Sequence, residues 1–293
     1  MDSLRSLLFV PADNEHKLEK SRTTSADALI LDLEDSVTVE RKPAARVLAA
    51  EFLEQKRGDK KIFVRVNPFD SGMTLDDLSG VMSARPDGIM LPKCGGAEDA
   101  VRLEHWLEAF EAVFSLGRGS TLIVPIVTET PAATLRLASY VGCSRRVWGL
   151  LWGAEDLAGS IGAAANRTQD GTYRSPFRWA RDQCLIAAAA AQVVAIDAAY
   201  TDIGNVAGLR SETEESRIEG FTAKAAIHPS HCEVINAAFA HTDEEVNWAR
   251  RVIAALSQKG TIGVATLDGK MIDKPHELQA QRILASSAQR SSE

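Results

Sequence analysis

Alternation is the feature that most restricts what this chain can fold into. Apolar runs of strand length lie at 6–12, 28–35, 62–67, 88–93, 122–129, 147–156, 193–200 and 223–229, and segments with helical character separate them. Eight such runs in this pattern predict an α/β chain folded as a (β/α)8 TIM barrel. A doubly wound open sheet is the alternative, disfavoured because no glycine-rich phosphate fingerprint follows any of the runs. Hydrophobic residues make up 45% of the chain, enough to fill a core of that size. The barrel accounts for residues 1–240. Residues 241–293 exceed its needs and are expected to form a C-terminal helical extension. There Thr242 and Glu245 predict a capping box for a helix through Leu256, and Asp268-Gly269 predicts a hairpin turn. Pro275 opens a last helix through about Ala285.

Within the alternation, residues 122–157 carry the most chemistry. One apolar run closes on Glu129, and Thr130-Pro131 follows as an N-cap and first helical residue. The next closes on Glu155-Asp156. Parallel strands joined by a helix would bring these acids to one side of the sheet, at the mouth where barrels keep their chemistry. Two neighbouring carboxylates suit a hard divalent cation such as Mg2+, which takes one or two protein carboxylates plus substrate and water. Strand alternation lets only one of Glu155 and Asp156 face inward. The other strand ends supply Asp13/Asn14, Glu34/Asp35, Arg65/Asn67, Lys93, Asp197 or Asp202, and His228. Arg65 is suited to clamp a substrate carboxylate, because its planar fork pairs in a way that Lys cannot match. The competing reading, less favoured, is an ion-pair partner of Glu34 or Asp35. His228 before a proline reads as a structural histidine, and Trp148 and Trp152 as core. The polar segment 166–175 is long for a connection and could be a lid. The charged run 212–219 reads as a solvated helix face.

Charge and cysteine usage narrow the class further. A formal net charge of −7 argues against nucleic acid as a partner. The four cysteines, Cys94, Cys143, Cys184 and Cys232, form no CxxC pair and read as reduced thiols. The apolar run at 7–10 is too short for a signal sequence, and no segment reaches the ~18 apolar residues of a membrane span. A cytoplasmic location and no membrane partner are therefore expected.

The residues Arg5-Ser-Leu-Leu-Phe-Val-Pro-Ala-Asp-Asn14, Leu31-Asp-Leu-Glu-Asp-Ser36, Val64-Arg-Val-Asn-Pro68 and Met90-Leu-Pro-Lys93 form an ordered series. It continues with Thr128-Glu-Thr130, Gly153-Ala-Glu-Asp-Leu157, Ala195-Ile-Asp197, Ala226-Ile-His-Pro229 and Asp268-Gly-Lys-Met-Ile-Asp-Lys-Pro275. In order and spacing this series resembles the citrate lyase β-subunit-like proteins of the HpcH/HpaI aldolase superfamily, nearly end to end. The resemblance implies a Mg2+-dependent barrel lyase acting on acyl-CoA thioesters such as citryl-, malyl- or citramalyl-CoA, with an acyl-CoA and a 2-oxo acid as partners. It implies Glu129 and Asp156 as metal ligands, with Glu129 bordering the substrate, and Arg65 as the clamp for the oxo-acid carboxylate. Asp273 is implied as the proton donor and acceptor, delivered by a neighbouring subunit of a homotrimer. Lys17 and Lys20 are implied as contacts for CoA phosphates. Residues 269–272 read as a short arm whose Met271 and Ile272 would dock on a neighbour. Gln192 stands where relatives carry Gly. A malyl-CoA-type thioesterase remains open. An aldolase on free 2-oxo acids is disfavoured by the C-terminal extension. A structural subunit that kept the fold is disfavoured by the joint presence of Arg65, Glu129, Asp156 and Asp273.

Overall fold

The computed structural model describes residues 4–55, 58–257 and 263–290. Eight strands alternate with helices, as the apolar runs demand. The order is β1 (Ser6–Pro11), α1 (Glu15–Ser21), β2 (Ala28–Asp32), α2 (Lys42–Glu54), β3 (Lys61–Arg65), α3 (Thr74–Val81), β4 (Gly88–Leu91) and α4 (Ala97–Val113). It continues with β5 (Leu122–Pro125), α5 (Pro131–Thr134), β6 (Gly149–Leu151), α6 (Glu155–Ile161), α7 (Ser175–Ala191), β7 (Val194–Asp197), α8 (Val206–Glu219), β8 (Ala223–Ala226) and α9 (Pro229–Ala238). All pairings are parallel, and the sheet runs β5-β4-β3-β2-β1-β8-β7-β6. Bridges Ile123–Val147 and Ile126–Leu151 join its two edges, with Trp148 N–H donating to Ile123 O at 3.0 Å. The sheet is thus closed into the (β/α)8 barrel, and the open-sheet alternative falls.

Side chains fill the barrel. Ile30, Phe63, Met90, Val124, Trp148 and Ile196 meet inside it. The Phe63 and Trp148 rings lie 5.5 Å apart. Gly88 on β4 makes room for Phe63, since a Cβ there would come within 2.7 Å of the ring. Because side chains alternate along a strand, the parity that points Ile30 and Phe63 inward also points Asp32 and Arg65 inward. The same rule turns Asp197 and Lys224 outward, since Ile196, Ala223 and Ala225 belong to the interior.

The strands are shorter than the apolar runs. Leu33, Val66, Ile126, Val127 and Trp152 lie beyond the strand ends yet are buried. Apolarity therefore continues into the loops that cross the rim. As a result Glu129 sits four residues past β5, and Glu155 and Asp156 lie in the first turn of α6 rather than on a strand. The alternation rule for choosing between those two acids does not apply to a helix. Thr130 caps α5 as expected, accepting from Ala133 N–H at 3.1 Å, although α5 is a single turn. Gln192 ends α7 with φ 58°, a left-handed cap that glycine fits without strain.

Residues from Phe239 onward form a second compact unit. It contains α10 (Asp243–Ser257), the antiparallel pair β9 (Ala265–Leu267) and β10 (Lys270–Ile272), and α11 (Lys274–Arg290). The capping box holds: Thr242 N–H donates to Glu245 Oε2 at 2.8 Å, and Glu245 N–H to Thr242 Oγ1 at 3.2 Å. Asp268 and Gly269 both take positive φ, 50° and 75°, as a type I′ hairpin turn requires. The arm read at 269–272 is therefore a hairpin strand. Ile272, 3% exposed, belongs to this unit's own core with Val252, Ala265 and Ile283, and Met271 is 64% exposed.

Candidate active site

The site grows from the ends of β2 and β3. Asp32 and Arg65 are register partners, so their inward side chains meet. Arg65 Nε donates to Asp32 Oδ1 at 2.7 Å and Nη2 to Oδ2 at 2.6 Å, a bidentate pair. The same carboxylate accepts from Glu34 N–H at 2.9 Å and Ser36 N–H at 3.2 Å, which fixes the turn that carries Glu34 and Asp35. Lys42 Nζ braces that turn through Leu33 O and Glu34 O at 2.8 and 2.9 Å. The Phe9 ring lies 4.8 Å from the Arg65 guanidinium carbon. Burial would lower the Arg65 pKa, but the Asp32 bond and the nearby acids hold it above its ordinary value. Burial would likewise raise Asp32, and Arg65 overcomes it, leaving that carboxyl below the usual range.

Glu34 stands between the two cations of the mouth. Its Oε2 lies 2.8 Å from Arg65 Nη1 without an aligned hydrogen bond, and its Oε1 takes the Lys93 ammonium. Burial raises its pKa despite Arg65. Lys93 follows β4 with φ 50°, the left-handed region. Its main-chain N–H donates to Glu129 Oε2, while its Nζ lies 3.6 Å from Asp35 and 3.9 Å from Asp156 Oδ1. Glu129 fits against Gly153, where a Cβ would come within 2.9 Å of its Cγ. Burial pushes the Glu129 carboxyl up to about 8, and the charges of Asp156 and Glu34 push the same way against the Lys93 hydrogen bond.

The mouth therefore collects Asp32, Glu34, Asp35, Glu129 and Asp156 around Arg65 and Lys93, with Lys42 behind the Glu34 turn, five acids to three bases. A hard divalent cation fits that excess, the unbonded Glu34 Oε2 and the raised Glu129 carboxyl. Among the described residues no three His, Cys, Asp or Glu side chains converge into a ready-made cage. Glu129 and Asp156, the pair expected from the sequence, suit a cation that keeps waters or substrate in its shell. The other acid of α6, Glu155, accepts from Asn166 Nδ2 at 2.7 Å and ties down the following loop.

Other candidates lie elsewhere. Asp197 faces outward, where Trp152 Nε1, Arg181 Nε, Ser216 Oγ and Lys224 Nζ all donate to it at 2.6–3.0 Å. Asp202 is exposed. His228 bonds Ser230 Oγ at 2.7 Å, the structural role expected of it. The 166–175 segment is pinned rather than free: Arg167 stacks on Tyr173 and bonds Glu212 Oε2 at 2.5 Å. Glu212 therefore belongs to a largely buried ion-pair group and not to a solvated face. Lys17 and Lys20 are exposed on α1. Asp273 lies in the second unit, bonded to His276. The residues missed from sequence are Asp32, as the main partner of Arg65, and Lys93, as a backbone donor. The i, i+2 spacing of Asp32 and Glu34 was the signal for the first; nothing in the sequence announces the second.

Fold and mouth together define a class, a β/α barrel with an arginine and an excess of acids gathered beyond the C-terminal ends of its strands. The profile of the HpcH/HpaI aldolase/citrate lyase family matches residues 5–229, and the chain belongs to that family. It is 32% identical over 287 residues to a citrate lyase subunit beta-like protein of Mycobacterium tuberculosis, covering 98% of this chain and 96% of the relative. It is 34% identical over 290 residues to a (3S)-malyl-CoA thioesterase of Cereibacter sphaeroides, covering 97% and 94%. The crystal structure of CitE from Mycobacterium tuberculosis in complex with magnesium, acetoacetate and coenzyme A aligns with a TM-score of 0.79 at 30% identity, covering 98% of both chains.

Proposed function

We propose that this protein is a Mg2+-dependent carbon–carbon lyase that cleaves or forms a 3-hydroxyacyl-CoA such as citryl-, malyl- or citramalyl-CoA, with an acyl-CoA and a 2-oxo acid on the other side. The observation that carries this reading is the acid excess around Arg65, with Glu129 and Asp156 as the carboxylates left to hold the ion. When bound, Mg2+ polarises the substrate oxygens and neutralises developing charge. Arg65 binds the oxo-acid carboxylate. Asp32 occupies its Nε/Nη2 edge, so the Nη1/Nη2 edge, now turned to Glu34, is the one a substrate would take. Lys93 and Glu34 hold the charge pattern around that edge. Asp273 gives a proton to the thioester enolate carbon on cleavage and removes it on condensation. Lys17 and Lys20 meet CoA phosphates. The coenzyme A bound in the Mycobacterium tuberculosis structure supports a thioester substrate.

A thioesterase is the second reading, favoured by the malyl-CoA thioesterase relative. An acyl-CoA panel with Mg2+, following 2-oxo acid release and free thiol separately, distinguishes the two. Oxo acid without thiol supports the lyase, and thiol release supports the thioesterase. Neither product from any member would sink both. We further propose that Asp273 serves the mouth of an adjacent subunit in a homotrimer. Asp273→Ala and Arg65→Ala should each be nearly inactive alone and regain activity when mixed and reassembled. No regain despite verified subunit exchange would place Asp273 outside a neighbour's site.

A further inference from the structure

Asp273 precedes α11 and acts as its N-cap residue: its carbonyl accepts from Glu277 N–H at 3.1 Å. An N-cap acid normally turns its carboxylate onto the amides of the first turn. Here Oδ1 instead lies 2.7 Å from His276 Nδ1, and the Asp273 main-chain N–H points at the same nitrogen from 3.2 Å. The side chains are 33% and 38% exposed, so the pair is open to solvent on one side. The flanking charges cancel each other, with Lys274 Nζ 2.8 Å from Glu277 Oε2. Oδ1 is thereby committed to the ring, and among the described residues Oδ2 carries no such bond.

We propose that His276 is a positioning residue for Asp273, holding Oδ1 so that Oδ2 is presented to the reacting carbon. This rests on the reading of Asp273 as the proton donor and acceptor. On cleavage the carboxyl O–H bond breaks as the C–H bond forms. The carboxylate left behind accepts from Nδ1–H, and water restores the proton through the exposed pair. On condensation the C–H bond breaks, Oδ2 takes the proton, and Oδ1, now a carbonyl oxygen, goes on accepting from Nδ1–H. One Nδ1–H thus serves both states of the acid.

The alternative is a helix cap and nothing more, and Gln separates the two. Gln at this position still accepts the Asp273 N–H through its Oε1, as in a capping box, but then sets no donor against Oδ1. With the acyl-CoA that wild type turns over, His276→Gln should keep the wild-type thermal midpoint and KM while kcat falls on the order of tenfold or more. His276→Ala should lose the same kcat and also lower the midpoint. Added to Asp273→Asn, His276→Gln should cost no further activity. Wild-type kcat in His276→Gln beside an inactive Asp273→Asn overturns the proposal and leaves a cap. Wild-type kcat in Asp273→Asn, or no turnover by the wild type on any acyl-CoA, removes the underlying reading and this proposal with it.

Discussion

Two clusters of charge are built on this barrel, and they are built differently. Behind β7 and β8, Asp197 receives four donors, and Lys224, Arg181 and Arg167 are matched by Asp197, Glu212 and Glu219. Burial would raise the Asp197 pKa, but Lys224 and Arg181 hold it well below the carboxylate range. At the mouth, five acids share three bases, Glu34 Oε2 lacks an aligned donor, and burial drives Glu129 upward. The first cluster is largely out of water, whereas at the mouth Asp35 and Asp156 keep part of their surface in solvent. The balanced one is satisfied within the fold and is costly to break, whereas the imbalanced one suits the cation proposed for it.

This contrast can be broken most sharply at Lys224. Lys224→Met leaves Asp197 short of its closest cation, and denaturant unfolding should show a loss of about 3–5 kcal/mol. A loss under about 1 kcal/mol would mean that Arg181 alone satisfies Asp197. A second balanced pair gives the next effect. Glu111 accepts from Arg146 at 2.6 and 2.8 Å and from Gly119 and Thr121 amides, and these bonds overcome burial to hold its pKa at about 2. Its stabilisation is full above the ordinary carboxylate pKa. It is lost as pH falls toward 2, because the unfolded chain takes up the proton first. Between pH 5 and 2, unfolding free energy should fall by on the order of 3 kcal/mol more in wild type than in Glu111→Gln. Equal slopes would show that the pair contributes nothing.

At the mouth the same kind of change should act on binding instead. Glu129→Gln removes one carboxylate from the excess, so unfolding without added metal should show no loss of stability. Calorimetric Mg2+ affinity should drop by roughly 100-fold, about 2.7 kcal/mol. A destabilised variant with unchanged affinity would reverse the assignment of the two clusters. The smallest effect is expected at Arg65→Lys, which keeps the charge and loses the fork. Turnover should fall by at least about tenfold, or 1.4 kcal/mol. Wild-type kinetics there would make Arg65 a partner of Asp32 only.

What could be read from the sequence was set by periodicity. Eight apolar runs, the Thr242–Glu245 box and the Asp268-Gly269 turn all follow local rules, and all hold. Strand lengths were overread, because Ile126 and Trp152 are apolar for the sake of the loop core and not of the sheet. That error carried Glu129 and Asp156 onto strands they do not occupy, while leaving them near the mouth cations. Asp32 was hidden because its partner is set by register between two strands, which neither strand encodes alone. Glu212 was hidden for a similar reason: a charged helix looks the same whether its inner turn meets water or Lys224.

Lys93 touches the site twice, through an ammonium on Glu34 and through a backbone amide on Glu129 that its left-handed conformation aims inward. Only the first contact belongs to the side chain. An alanine scan at this position deletes the ammonium and leaves the amide in place, still in a conformation that Ala adopts at a cost. Glycine deletes the same ammonium and relaxes the backbone. The two substitutions read different halves of one residue, and the gap between them measures what chain geometry, apart from side-chain chemistry, contributes to the mouth.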